Sequence, residues 1–378
     1  MNPAAPTVGL RVRIVGTGLI GASLGIALSR KGFQVILDDP SPKAAVLARD
    51  LGAGVLAADT TPEDATPDVV VVAAPPDVVA DVVARELAAW PDAVVTDVAS
   101  VKGAVLTALH GLARKDQGVD LSRYVGSHPM AGREVSGAVA AQADLFKGRS
   151  WVVAPGPQAA AGAVDSVRQI AEAAGSAVLV MTPDEHDAAV AAVSHVPQIA
   201  ASLVASRLRD LPSGAVALSG QGIRDVTRIA ASDESMWTQI LAGNAPAIRG
   251  VLEALAKELD AVLAALRDLE SDPGGGHGAA RAVLAGTVAA GNAGHALIPG
   301  KHGAAPTAYA TVIVVVPDEP GALGRLLRDV GEAGVNMEDM HLEHGIGQPF
   351  GLAALSVLPD AVQPLITALS ALGWPVHE

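Results

Sequence analysis

The sequence predicts a three-part chain: a doubly wound α/β unit, an all-helical unit and a small ferredoxin-like α+β unit. Three observations carry this. From Arg11 to Met181 short valine-rich runs alternate with alanine-rich amphipathic stretches, the pattern of βα repeats around a parallel sheet. From Asp184 to Leu269 the spacing is helical and no strand stands out. Two breaker clusters follow, Ser271–Gly278 and Pro299–Pro306. After them the order becomes strand, helix, two strands, helix and a short end, which is a split βαβ unit. The unit boundaries fall at 8–181, 182–299 and 307–378.

In the first unit the expected strands are Arg11–Val15, Gln34–Leu37, Val69–Ala73, Ala93–Asp97, Tyr124–Ser127, Trp151–Ala154 and Ala177–Met181. The second unit opens with a helix over Asp184–Leu208 and closes with one from Ala279 to about Leu297. In the third, strand Ala308–Val316 leads through a turn into a helix within Asp318–Ala333, and the last helix spans Ala361–Leu372.

The absence of cysteine excludes disulfides, thiolate metal sites and cysteine nucleophiles, and fits a reducing cytoplasm. A net charge of -14 opposes binding to nucleic acid, which depends on lysine and arginine neutralising phosphates. Apolar runs such as Val69–Pro76 are far shorter than the roughly 20 residues of a membrane span. Met1–Thr7 lacks the basic-then-apolar order of a signal peptide. The expectation is a cytoplasmic protein with small-molecule partners. If those ligands are anions, the global field repels them, so local arginines and helix N-termini must attract them.

Strand Arg11–Val15 runs directly into Gly16-Thr17-Gly18-Leu19-Ile20-Gly21 and then a helix. In a dinucleotide-binding (Rossmann-type) turn the first glycine permits the tight turn. The second admits a pyrophosphate to the backbone, and the third lets helix and strand pack closely. About twenty residues on, Asp39 stands where a carboxylate meets the ribose hydroxyls and repels a 2′-phosphate, which favours NAD over NADP. Asp38 competes for that role, but alternation with Val35 and Leu37 places Asp39 on their face. Ala73-Ala74-Pro75-Pro76 reads either as a small-residue floor beside the cofactor or as an ordinary strand exit.

Ligands of open α/β sheets sit beyond the carboxyl ends of strands. Two exits there carry chemistry: Ser100-Val101-Lys102-Gly103 and His128-Pro129-Met130-Ala131-Gly132. Taken alone, His128 reads as a loop histidine as readily as a base, and Ser100 as a helix N-cap. Both segments resemble the prephenate and arogenate dehydrogenases. So do Ser194-His195-Val196-Pro197, Asp225-Val226-Thr227-Arg228-Ile229-Ala230, Ser232-Asp233 and Trp237, in the same order.

The resemblance implies that His128 takes the proton of the substrate's 4-hydroxyl as hydride leaves the same carbon for NAD, and that Ser100 shares that hydroxyl. It implies that Arg228 holds the ring carboxylate, a task suited to the planar guanidinium. Asp225, three residues earlier, is expected to orient Arg228, Trp237 to close the side-chain end, and Glu134 to stand near the entrance. Otherwise Arg228 and Asp225 read as a surface ion pair and Trp237 as core. No metal is needed.

His186 and His195 are nine residues apart, which puts them on opposite faces of a straight helix unless Pro197 bends it. His195 is kept as a substrate-site residue, and His186 reads as a surface histidine near a helix start. Gln198 replaces a histidine that many relatives carry near the substrate side chain, where prephenate and arogenate differ by a ketone against an amine. The activity implied is oxidative decarboxylation of prephenate to 4-hydroxyphenylpyruvate. The alternatives are an arogenate or β-hydroxy-acid dehydrogenase, or a non-catalytic NAD- and amino-acid-binding regulator.

Asp318-Glu319-Pro320-Gly321-Ala322-Leu323 and Gly334-Val335-Asn336-Met337 resemble an ACT regulatory domain. Gly321 and Asn336 are its candidate ligand residues and tyrosine its implied effector, although each could be only a turn residue. The apolar face of the helical unit suits burial in a homodimer.

Overall fold

The computed structural model describes residues 9–61, 65–116, 118–132, 137–271, 277–298, 309–344 and 348–377. They form two compact units, Met1–Lys257 and Glu258–Glu378, divided within the helix Ala245–Ser271.

The first unit is built on an eight-stranded sheet: β1 (Arg11–Val15), β2 (Gln34–Asp38), β3 (Val55–Leu56), β4 (Val69–Val72), β5 (Val94–Asp97), β6 (Tyr124–Pro129), β7 (Ser150–Pro155) and β8 (Ala177–Val180). Its order is β3-β2-β1-β4-β5-β6-β7-β8. The chain reverses direction across the sheet between β1 and β4, which opens the crevice where doubly wound folds bind ligands. β4 explains its own composition. Val69 and Val71 enter the core on one face and Val70 and Val72 the core on the other, so a strand covered on both sides is valine throughout.

The expected all-parallel sheet requires correction. β6 and β7 are antiparallel, and β8 follows β7 in parallel. Between β6 and β7 the described residues hold no α-helix, only the 3-10 turn Ala138–Ala140, so the chain lacks the helical crossover that a parallel neighbour usually takes. The two-residue β3 is too short to leave a periodic signal.

The helices Pro183–Val190 and Val196–Arg207 are joined by a π-helical segment, Ala191–His195. Pro197 supplies the cause: it has no N–H, and its ring clashes with the carbonyl four residues back. The run Pro183–Asp210 is long and apolar enough to cross a membrane by length and composition, which the reading of short apolar runs overlooked. Its polar positions His186, Asp187 and His195 are buried within the protein.

In the second unit β9 (Ala310–Pro317), β10 (Met337–His344), β11 (Phe350–Val357) and β12 (Val376–His377) form an antiparallel sheet in the order β10-β11-β9-β12. β9 and β10 run the same way with β11 between them, so the βαβ is split as expected. Val312, Val314, Leu355, Leu326 and Leu365 make its core with the helices Ala322–Glu332 and Val362–Ala371.

Candidate active site

Gly16 has φ +101°, and a Cβ there would lie 2.4 Å from the Ala73 carbonyl oxygen; one on Gly21 would lie 1.9 Å from that of Gly16. Both positions exclude a side chain. Around Gly18 a Cβ would meet nothing within 4 Å. Gly18 precedes the helix Leu19–Ser29, whose N-terminus has no side-chain cap, so an approaching phosphate finds unclaimed N–H groups there. Leu19 and Ile20 are half-buried behind it, while Ala74 is half-buried and Pro75 exposed at the exit of β4.

The two acids separate cleanly. Asp38 is held by Arg13 Nη2 at 2.5 Å, and Arg13 Nε also donates to Glu86. Asp39 turns to the glycine loop, accepting from Thr17 N at 2.7 Å and Thr17 Oγ1 at 2.9 Å, with Ser41 N on its other oxygen at 2.8 Å. These residues fit a dinucleotide.

At the same edge of the sheet, β5 and β6 end in a buried polar web. Lys102 Nζ donates to Asp97 and, at 2.7 Å, to the Ser127 carbonyl; Tyr124 donates to Asp97 at 2.7 Å. Burial pulls the Lys102 ammonium below its ordinary value, opposed by Asp97, and pushes the Tyr124 phenol well above its own. Ser100 does not cap the helix Gly103–Ala113. Asp187, far along the chain, accepts from Lys102 N at 2.9 Å and Gly103 N at 2.8 Å in its place.

His128, half-buried, stands above this web with Nδ1 2.9 Å from His186 Nε2. His186 Nδ1 lies 2.7 Å from Asp187 Oδ1. Burial, reinforced by His186, Lys102 and His195, holds His128 well below the usual histidine value, so it is a neutral acceptor near neutral pH. Burial raises Asp187, but hydrogen bonds from His186, Lys102 and Gly103 outweigh it and keep the acid below its ordinary value.

The surface reading of His186 is therefore wrong: it is 0% exposed. Its sequence signal was present, because Pro183, His186, Asp187 and Val190 are the buried positions of their helix at i, i+3, i+4 and i+7. The opposite-face expectation fails as well. A π turn spends about one extra residue, which removes roughly 100° of the rotation separating His186 from His195. His195 is 1% exposed and receives the Asn244 amide at 3.1 Å, while the same amide donates to the Asp187 carbonyl at 2.8 Å. Burial lowers the His195 value, Asp187 opposing. Trp237 meets the His195 ring edge-on, centroids 6.1 Å apart, and Gln198 is buried one turn on. Asp97, Tyr124, Asp187 and Asn244 were not anticipated from the sequence, and Lys102 only as a member of its motif.

Arg228 and Asp225 are exposed. The helix Gln221–Thr227 ends before Arg228, which starts a 3-10 turn, and Asp225 accepts from Gln221 Nε2 at 2.8 Å. Glu134 lies outside the described residues. In the second unit Gly321 has φ +88° before its helix, and Asn336 donates to Glu338 at 2.8 Å.

Residues 24–193 match the nucleotide-binding domain of prephenate dehydrogenase, and residues 182–273 its dimerization domain. A probable prephenate dehydrogenase, NovF of Streptomyces niveus, is 37% identical over 97% of this chain and 99% of its own. The chain belongs to the prephenate dehydrogenase family. The prephenate dehydrogenase of Bacillus subtilis is 33% identical over 66% of this chain and 68% of its own length. Among solved structures, the family's enzyme from A. aeolicus, in complex with hydroxyphenyl propionate and NAD+, is 28% identical. It superposes with a TM-score of 0.61 over 70% of this chain and 93% of that one.

Proposed function

We propose that this protein is a cytoplasmic, homodimeric prephenate dehydrogenase that uses NAD to convert prephenate to 4-hydroxyphenylpyruvate in tyrosine biosynthesis. The observation that carries the reading is His128: a neutral, partly open imidazole at the exit of β6, on the edge of the sheet shared by the glycine loop. Gly16, Gly18 and Gly21 would cradle NAD with Asp39 toward its ribose, and NAD would supply the acceptor for the hydride lost from the C4–H bond. His128 accepts the proton of the 4-hydroxyl as that carbon becomes a carbonyl, and Ser100 shares the hydroxyl. The bond to the ring carboxylate then breaks, carbon dioxide leaves, and its electron pair aromatises the ring. The phenolic oxygen takes a proton back from His128, so the step needs no external base.

Arg228 holds the ring carboxylate through its fork of donors, with Asp225 as the acid that orients it. Trp237, His195 and Gln198 face the side-chain end. Domain limits of 8–181, 182–299 and 307–378 separate the NAD-binding, helical and regulatory parts. The last is an ACT-type module, supported by its split βαβ order, with tyrosine as effector near Gly321 and Asn336. The test is NADH absorbance with prephenate or arogenate, NAD or NADP, with and without tyrosine. Turnover of prephenate with NAD is expected, and preference for arogenate overturns the substrate assignment. Gln198 is the residue to exchange for histidine if it does.

A further inference from the structure

We infer that His186 and Asp187 form a positioning relay that fixes His128 as the Nδ1–H tautomer, leaving its Nε2 bare for the substrate hydroxyl. The inference rests on the function proposed above. Its logic is a count of protons. The Asp187 carboxylate already accepts two backbone N–H groups, from Lys102 and Gly103, which hold it in place as an acceptor. His186 Nδ1, 2.7 Å from the same carboxylate, must therefore donate. A neutral imidazole has one N–H, so His186 Nε2 can only accept, and the group facing it at 2.9 Å, His128 Nδ1, carries the hydrogen. The rings meet edge-on at 74°, which suits an in-plane hydrogen bond and not stacking.

Asn244 sets the neighbouring histidine the other way. Its Nδ2 donates to the Asp187 carbonyl, which fixes the amide orientation, and so donates also to His195 Nδ1. His195 is left with Nε2–H. One buried cluster thus holds two histidines in opposite tautomers, His128 as acceptor and His195 as donor. During the reaction the hydroxyl O–H bond breaks and an Nε2–H bond forms on His128. The resulting imidazolium keeps donating Nδ1–H to His186, whose far nitrogen is backed by the Asp187 carboxylate. The competing state, a charged His186 donating to His128, would place the hydrogen on His128 Nε2 and leave no base.

The full-length protein labelled with ¹⁵N-histidine, observed at pH 8 by long-range ¹H–¹⁵N correlation and assigned with His128→Asn, decides between them. Protonated Nδ1 and bare Nε2 on His128 are expected; the reverse overturns the relay. Kinetics add a second readout. His186→Gln keeps a side-chain acceptor for His128, and His186→Leu does not. The glutamine variant should lose less than about tenfold in kcat and the leucine variant about a hundredfold, with KM within about threefold in both. Equal losses overturn the relay. If neither variant folds, the labelled wild type still decides. A wild type with the expected tautomer but no turnover of prephenate keeps the relay and removes the proposed function.

Discussion

The wall of the cleft made by β5, β6 and the helix Pro183–Val190 is a closed polar web, whereas the segment 213–239, which carries Arg228 and Trp237, is mostly open to solvent. In the first, His128, His186, Asp187, Lys102, Asp97 and Tyr124 are tied together by hydrogen bonds. In the second, Leu218 is 85% exposed, and Val226 and Met236 also stand out at the surface. Those apolar exposures lie inside the residues matched to the family's dimerisation domain, and they have the character of an interface and not of a solvated face. The contrast teaches that the half of the site proposed to handle the proton is preorganised within one chain. The half proposed to grip the substrate's acid group is built from a sparser segment. Substitutions on the first wall should therefore act on kcat, and those on the second chiefly on KM.

The largest effect is expected at His128. His128→Asn should lower kcat with prephenate by about 10²- to 10⁴-fold, the usual worth of a positioned general base, with NAD affinity within about twofold by fluorescence titration. A large loss of NAD binding would break the comparison. Next comes Arg228→Ala, expected to raise KM for prephenate by roughly 10- to 100-fold with kcat far less affected. A lysine should restore little, because it lacks the bidentate fork. A pure kcat effect there would assign the arginine to the chemical step instead.

Asp39→Asn is smaller: a loss of about tenfold in NAD affinity and a narrower gap between NAD and NADP, read from KM for each cofactor. The smallest effect is on pH. Since His128 is held well below about 6.5, the acid limb of kcat/KM should fall below pH 6.5. The same depression links to stability. Below pH 6.5 the unfolded chain binds the proton that the folded chain refuses, so stability should decline from pH 6.5 down to the folded value and be insensitive to this group above it. Denaturant melts across pH 5 to 8 measure this, and an acid limb above 6.5 would sink the assignment.

Much of the fold was legible because burial leaves a periodic trace. β1 was placed at its observed limits, and β4 was found because a strand covered on both faces is apolar without interruption. The glycine loop and Asp39 were legible because close backbone approach admits only glycine and the ribose acid stands at a fixed spacing. β3 was missed because two residues carry no period, and β7 was given the wrong direction because alternation is blind to strand polarity. His128, Ser100, Arg228 and Trp237 were legible as motif residues. His186 was not, because the first turn of a helix is usually exposed, although its spacing with Pro183, Asp187 and Val190 marks the buried face.

By itself the sequence determined the residue types that chemistry requires, the βα rhythm, the cofactor loop and the family, all of which are local or order-dependent properties of the chain. Only the tertiary structure decided that Asp187 caps a helix 84 residues earlier and aligns His186 on His128, and that the π turn before Pro197 swings His195 into the same cluster. Hydrogen-bond direction and the protonation it imposes arise where distant segments exclude water together, and no linear pattern encodes that meeting.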